Sequence, residues 1–234
     1  MPKFRNSLPL LAVCALLAAC ATPQPSPPTG PLPPTNNYSY RKAPTNQMVV
    51  ALTFDDGPSA ATTPRLLEIL KKKDVRATFF VVGKNVATYP DIVRQAVANG
   101  HEIGNHSWNH PKLPLLTDAG VTAELQRTDD ALTALGVKVR YLRPPYGSIT
   151  DAQRQWIHKK FGYHFILWDV DPGDWQRPVV GEVVSRVVNN ARPGSIILLH
   201  DIHPDTVTAV PEIIDQLRAR GFNFLTVSEL LATP

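Results

Sequence analysis

Cysteine is almost absent from this sequence. Cys14 and Cys20 are the only two in 234 residues, and both lie within the first twenty positions. No disulfide can therefore staple the remainder, and its stability must come from a buried core. Roughly 190 residues follow position 45, enough for one domain to bury such a core. The apolar run at 8–19 is too short to cross a bilayer comfortably as a helix. Charge of one sign is scarce as well. The formal net charge is +4 with no basic run, which makes no case for nucleic acid, though it suits an anionic cell wall. Nor does any internal repeat appear.

What is present begins at the amino terminus. Lys3 and Arg5 precede the short apolar run, and "LLAAC" ends it at Cys20, which reads as an export signal over residues 1–19. The small residues before a cysteine resemble the bacterial lipobox, with cleavage before Cys20 and lipid on its thiol. Residues 20–45 then read as a linker: eight of the 23 prolines fall there. Such a segment favours extended polyproline II, reaching at most about 3.1 Å per residue, and holds a domain off a membrane surface. The expectation is an exported lipoprotein of the cell membrane or outer membrane, facing the cell wall, with its folded domain over 46–234.

Within that domain apolar runs alternate with amphipathic stretches. Strands are expected over 48–54, 77–82, 102–104, 139–142, 164–168, 195–199 and 223–226. Helices are expected near 62–73, 86–99, 117–135, 150–160, 179–191 and 207–220. Strand and helix alternating about seven times imply a parallel α/β fold, an open sheet or a barrel. The chemically interesting residues sit just after the strands, where the loops of a parallel barrel share one face.

The first of these, "VVALTFDDGP", ends an apolar strand on Asp55 and Asp56. Neighbours on a strand point to opposite faces, so both acids can face one site only where the strand ends and bends, as Gly57-Pro58 allows. In "HSWNH", His106 and His110 stand four apart, which on a helical turn places both imidazoles on one face. Two histidines and one strand-end carboxylate form a three-ligand metal set with open positions for water. One acid can then bind the ion while the other takes a proton from its water, whose pKa the ion brings towards about 7. Arg143 in "RPPYG" carries a fork suited to a carboxylate such as Asp55. The Pro-Pro run stiffens the backbone beside Tyr146, whose N–H could meet an oxyanion. His200 in "LLHD" could protonate a leaving group, or could be a structural partner of Asp201. Asp171 and Asp174 are both available to orient it, and Trp175 is either a pocket wall or core. His101, His158 and His164 read as packing or surface residues; His203 has no assigned role.

These motifs in this order, "TFDDGP", "HSWNHP", "RPPYG", "DVDPGDW" and "LLHDIHP", resemble the five signatures of the NodB-type polysaccharide deacetylases, carbohydrate esterase family 4. The likeness spans residues 48–230. It implies a distorted (β/α) barrel of about seven parallel strands in a single domain. It implies one divalent metal on Asp56, His106 and His110, zinc first, with cobalt, nickel or iron suited to the same ligands. It further implies Asp55 as base, His200 as acid, Arg143 orienting Asp55 and Asp174 tuning His200. Tyr146 would supply the oxyanion N–H, and Trp175 and Leu198 would line the acetyl-methyl pocket. The expected activity is N-deacetylation of an N-acetylglucosamine polymer, peptidoglycan first and chitin oligomers second. An O-acetyl esterase acting on xylan-like sugars and a non-catalytic carbohydrate-binding lipoprotein are the alternatives. The expected partners are the polysaccharide and, through lipid, the membrane, with the chain itself a monomer.

Overall fold

The structure is a computed structural model that describes residues 1, 32–35 and 37–234. The export signal, Cys20 and most of the proline-rich segment lie outside the described residues. In chain order the elements are β1 Ser39–Tyr40, β2 Val49–Asp55, α1 Thr63–Lys72, β3 Thr78–Val81, α2 Gly83–Thr88, α3 Pro90–Ala98, β4 Glu102–Asn105 and α4 Asp118–Thr133. There follow β5 Tyr141–Leu142, α5 Asp151–Phe161, β6 His164–Ile166, α6 Val180–Asn190, β7 Ile196–His200, α7 Pro204–Ala219, β8 Asn223–Phe224 and α8 Val227–Leu231.

β2 is buried along its whole length, as an unbroken apolar run requires of a central parallel strand. The strand order is β1-β6-β5-β4-β3-β2-β7, every pairing parallel, and β8 pairs the first residues of β2. Bridges from Lys42 to Ser195, just before β7, and from Val170 to Ile197 of β7 draw the two edges together. The result is the distorted barrel that the resemblance implies.

Two apolar layers and a lined interior hold it. Leu66, Leu67 and Leu70 of α1 and four valines of α6 pack on the outer face with α7. Each fully buried leucine contributes about 1.5–3 kcal/mol. On the other flank α4 and α5 cover Leu142 and Phe165. Inside, Val49, Ala51, Phe80, Tyr141, Ile166 and Ile196 stack above a floor made by Val227, Leu230 and Leu231 of α8.

The structure corrects three expectations. The fold starts before residue 46: Tyr40 and Ala43 are buried, β1 pairs β6, and the Ala43 N–H donates to the Gly194 carbonyl. The expected helix over 86–99 is two helices, because Pro90 starts a second one after the non-helical Tyr89 (φ −129°, ψ 56°). Residues 106–110 form no helix at all. Ser107 and His110 have φ of 65° and 61°, so the two histidines converge through a left-handed loop rather than a helical face.

Candidate active site

The register of the sheet brings the chemistry to one end. Asp55 is paired with His200 across β2 and β7, Asn105 is paired with Leu142 across β4 and β5, and His106 and Arg143 follow directly on those strands. All lie at the carboxyl-terminal edge of the barrel.

Asp56, His106 and His110 form one cluster, with a ligand atom of each within 4.8 Å of the others. Asp56 Oδ1 lies 3.3 Å from His110 Nε2 and 3.5 Å from His106 Nε2. That buried oxygen has no hydrogen-bond partner. Donors on a tetrahedral ion with bonds of about 2.1 Å stand about 3.4 Å apart. The orphaned oxygen and the two spacings therefore fit a divalent cation. The tautomer fits too: His106 Nδ1 lies 2.6 Å from the Arg143 carbonyl, and donating its proton there leaves Nε2 free as a ligand. Burial alone would raise the Asp56 carboxyl, yet His106, His110 and His200 pull it down to about 2. Burial and His106 lower the His110 imidazole, keeping it neutral as a ligand must be.

Asp55 sits beside this cluster, 3.7 Å from His106 Nε2 through Oδ2. Its Oδ1 accepts from Arg143 Nη1 at 2.7 Å. Arg143 is fully buried and all of its bonds are to fixed partners: Thr53 Oγ1, the carbonyls of Ile166 and Leu167, and Asp55. Its guanidinium lies 4.1 Å over the Phe80 ring, a desolvated cation–π contact.

On β7, His200 Nδ1 lies 2.8 Å from Asp174 Oδ1, and its N–H donates to Asp174 Oδ2, which also accepts from Thr206. Burial opposes charge on this imidazole, but Asp174, with Asp55 and Asp56, raises it to about 9. Asp174 is thus the residue that holds His200. Asp171 instead accepts from the Gly173 N–H in a turn. Asp201 does not bind the imidazole either. It is buried, accepts from Thr63, and packs so tightly on Gly57 that a Cβ there would meet its carboxylate at 2.2 Å. Burial pushes its carboxyl up to about 7.

Tyr146 has φ of 60° and is 61% exposed, its ring 4.6 Å from that of His110. Trp175 is 53% exposed on the turn after Gly173, whereas Leu198 is buried on β7, two residues before His200 and on the same face. His203 stands at the rim, 6.0 Å from the His200 ring. His101 is a packing residue, accepting from the Ala77 N–H and set edge-on to Phe79. Among the described residues, four of the seven non-glycine residues with left-handed φ, Asp56, Ser107, His110 and Tyr146, belong to this site. Such conformations cost about 1–3 kcal/mol each and persist only where the surroundings enforce them.

Residues 42–166 match the family model described as polysaccharide deacetylase. The chain is 42% identical over 186 residues to the peptidoglycan-N-acetylmuramic acid deacetylase PdaC of Bacillus subtilis, covering 79% of this chain and 39% of that one. PdaC is the longer protein, and the chain spans about 40% of its length. The crystal structure of the Bc1960 peptidoglycan N-acetylglucosamine deacetylase superposes with a TM-score of 0.81 at 34% identity, covering 85% and 94% of the two chains. A CE4 family pseudoenzyme from Bacillus anthracis superposes with a TM-score of 0.79 at 33% identity, over 84% and 70%. Deacetylases of this family use a divalent metal, and the three ligands found here suit one. With the motifs, the barrel and these relatives in agreement, the chain belongs to the polysaccharide deacetylase family.

Proposed function

We propose that this protein hydrolyses N-acetyl groups from an N-acetylglucosamine polymer, with peptidoglycan as the first substrate and chitin oligomers as the second. The observation that carries the reading is the pairing of a three-ligand metal cluster with an arginine-held carboxylate on one side and an aspartate-held imidazole on the other. The named activities of the peptidoglycan deacetylases that it resembles support the substrate class. A divalent ion on Asp56, His106 and His110, zinc by ligand type, would acidify a water and polarise the acyl oxygen. Asp55, tied to Arg143 through one oxygen and facing His106 with the other, takes the proton of the attacking water. The Tyr146 N–H donates to the developing oxyanion. His200, with Nδ1 engaged by Asp174, gives its proton to the departing amine through Nε2. Leu198 and Trp175 border the acetyl methyl.

An O-acetyl ester would meet the same groups. A non-catalytic carbohydrate binder has a precedent in the pseudoenzyme neighbour, but the complete proton-transfer set here favours catalysis. The test is acetate release from peptidoglycan, chitin oligomers and acetylated xylan, with and without chelator. We expect release from the N-acetylated polymers, lost with chelator and restored by zinc. His106→Ala should be inactive and metal-poor by elemental analysis. Metal content equal to wild type in that variant would refute the ligand assignment.

The raised His200 pKa gives a pH prediction. A folded pKa of about 9 against about 6.5 unfolded means that this group adds stability fully below about pH 6.5, which is lost as pH rises through about 9. Asp174→Asn removes the anion responsible. The basic limb of its pH–rate profile should move to lower pH, and its stability deficit should be larger at pH 6 than at pH 10. An unmoved basic limb would mean that His200 is not the acid.

For location, the proposal is export and lipid anchorage through Cys20. It is supported by the charged, apolar and small-residue pattern ending at that cysteine. No helix among the described residues is long and apolar enough to cross a membrane. Cys20→Ser should move the protein from the membrane to the soluble fraction. Unchanged sedimentation with membranes would point to another anchor. Two acyl chains would make the attachment stable where one is marginal.

A further inference from the structure

The loop that carries both metal-binding histidines has an unusual structural problem. Residues 106–110 belong to no helix or strand, and two of them, Ser107 and His110, are held left-handed without being glycine. Something outside the loop must enforce that shape. Its hydrogen bonds identify the source. The Ser107 N–H donates to Asn105 Oδ1 at 2.7 Å, and the His110 N–H donates to Ser107 Oγ at 3.0 Å. Between them, the N–H groups of Trp108 and Asn109 both donate to one oxygen, Oε2 of Glu124, at 2.9 and 2.7 Å. The other oxygen, Oε1, accepts from Asn109 Nδ2 at 3.0 Å. The carbonyls of Ser107 and Trp108 accept from the N–H groups of Gly83 and Lys84 at the start of α2.

Glu124 is on α4, fourteen residues beyond His110 and outside every motif singled out above. One helical turn further, Arg127 lays its guanidinium 4.2 Å over the Trp108 ring. Residues three apart share a helix face, so α4 grips the loop twice, by backbone and by side chain. The loop is also pressed from below, since a Cβ on Gly83 would meet the Trp108 ring at 2.6 Å.

We propose that Glu124 is a positioning residue for the metal site, fixing the spacing of His106 and His110 by accepting three hydrogen bonds from the loop between them. This rests on the reading of those histidines as metal ligands. A carboxylate suits the task because it only accepts, so both oxygens can take N–H groups without an unmatched donor. Glutamine can do nearly as well. Its carbonyl still accepts from the two backbone N–H groups, and its amide can donate to a flipped Asn109. Alanine removes all three bonds, and aspartate is one methylene too short to keep them.

The test measures zinc affinity by competition with a chromophoric chelator, alongside hydrogen exchange of the metal-free proteins. Relative to wild type, Glu124→Ala and Glu124→Asp should weaken zinc about 10–100-fold, the range typical of lost support behind a ligand. Glu124→Gln should stay within a few fold. The amides of Trp108 and Asn109 should exchange faster in the alanine and aspartate variants before any metal is added. Wild-type zinc affinity in both variants overturns the proposal, and a lowered melting temperature with unchanged affinity overturns it equally by reducing Glu124 to a structural role. Should Glu124→Ala fail to fold, Glu124→Asp against Glu124→Gln carries the same comparison. If wild type and His106→Ala bind zinc alike, the ligand assignment itself has failed, an outcome separate from failure of the clamp.

Discussion

Asp55→Asn should keep its metal and lose most of its turnover. General base catalysis is typically worth about 10²–10⁴-fold, so kcat at saturating zinc should fall within that range. The geometry supports this division between two adjacent acids. Asp56 offers an unpartnered oxygen to both imidazoles, whereas Asp55 has one oxygen occupied by Arg143. Asp56→Asn should accordingly fail in the other way, losing metal affinity, with activity partly restored by added metal. Measuring metal content and kcat together on both variants decides the matter. Metal loss from Asp55→Asn with retention in Asp56→Asn would show that the pair is assigned backwards.

Arg143→Ala should lower stability more than any other single change in the site. The side chain is 0% exposed, and Asp55 beside it is 3% exposed. Removing one partner of a buried ion pair strands the other charge and costs about 3–5 kcal/mol. For a domain of this size that is a fall in melting temperature on the order of 10 °C. The carbonyls of Ile166 and Leu167 also lose their donors, so the loss extends beyond the pair. Arg143→Lys should recover only part, because an ammonium cannot reach four acceptors spread across β2 and the end of β6. Turnover should fall as in Asp55→Asn, though less, since the base stays in place without its guide. A melting temperature within 2 °C of wild type, measured on metal-free protein, would overturn the argument.

Much of this site was legible because its residues are consecutive with strand ends. Asp55, Asp56, Arg143 and His200 are readable once the strands are, since a parallel barrel brings strand ends to one rim. Other features had no local signature. Glu124 and Asp201 act through contacts made only after folding: one holds loop amides 15 and 16 residues earlier, the other packs on Gly57 from just beyond the end of β7. The choice of Asp174 over Asp171 depended on which carboxylate faces His200, a matter of turn geometry. β1 was hidden because two paired residues in a proline-rich segment leave no periodicity to detect. The helical reading of 106–110 failed for a related reason. A spacing of four suits a helix face, but it also suits a loop whose left-handed residues fold it back on itself.

The floor of the barrel has a consequence for how the chain reaches its native state. It is built from both ends of the described fold. β8 pairs the first residues of β2, the Val227 N–H donates to Thr78 Oγ1 across 149 residues, and Thr45 Oγ1 donates to the Pro234 carbonyl across 189. Glu102 lies beneath, half-buried and bonded by Thr78 and by both donors of Ser228. Contacts so remote in sequence require a large loop-closure entropy before they return any energy, and topologies rich in them fold slowly. A chain emerging amino terminus first can assemble its helices and inner strands, but it cannot cap the interior until residues 223–231 are free. Until those residues pair with β2 and cover the interior, its apolar side chains stand open to water and to other chains.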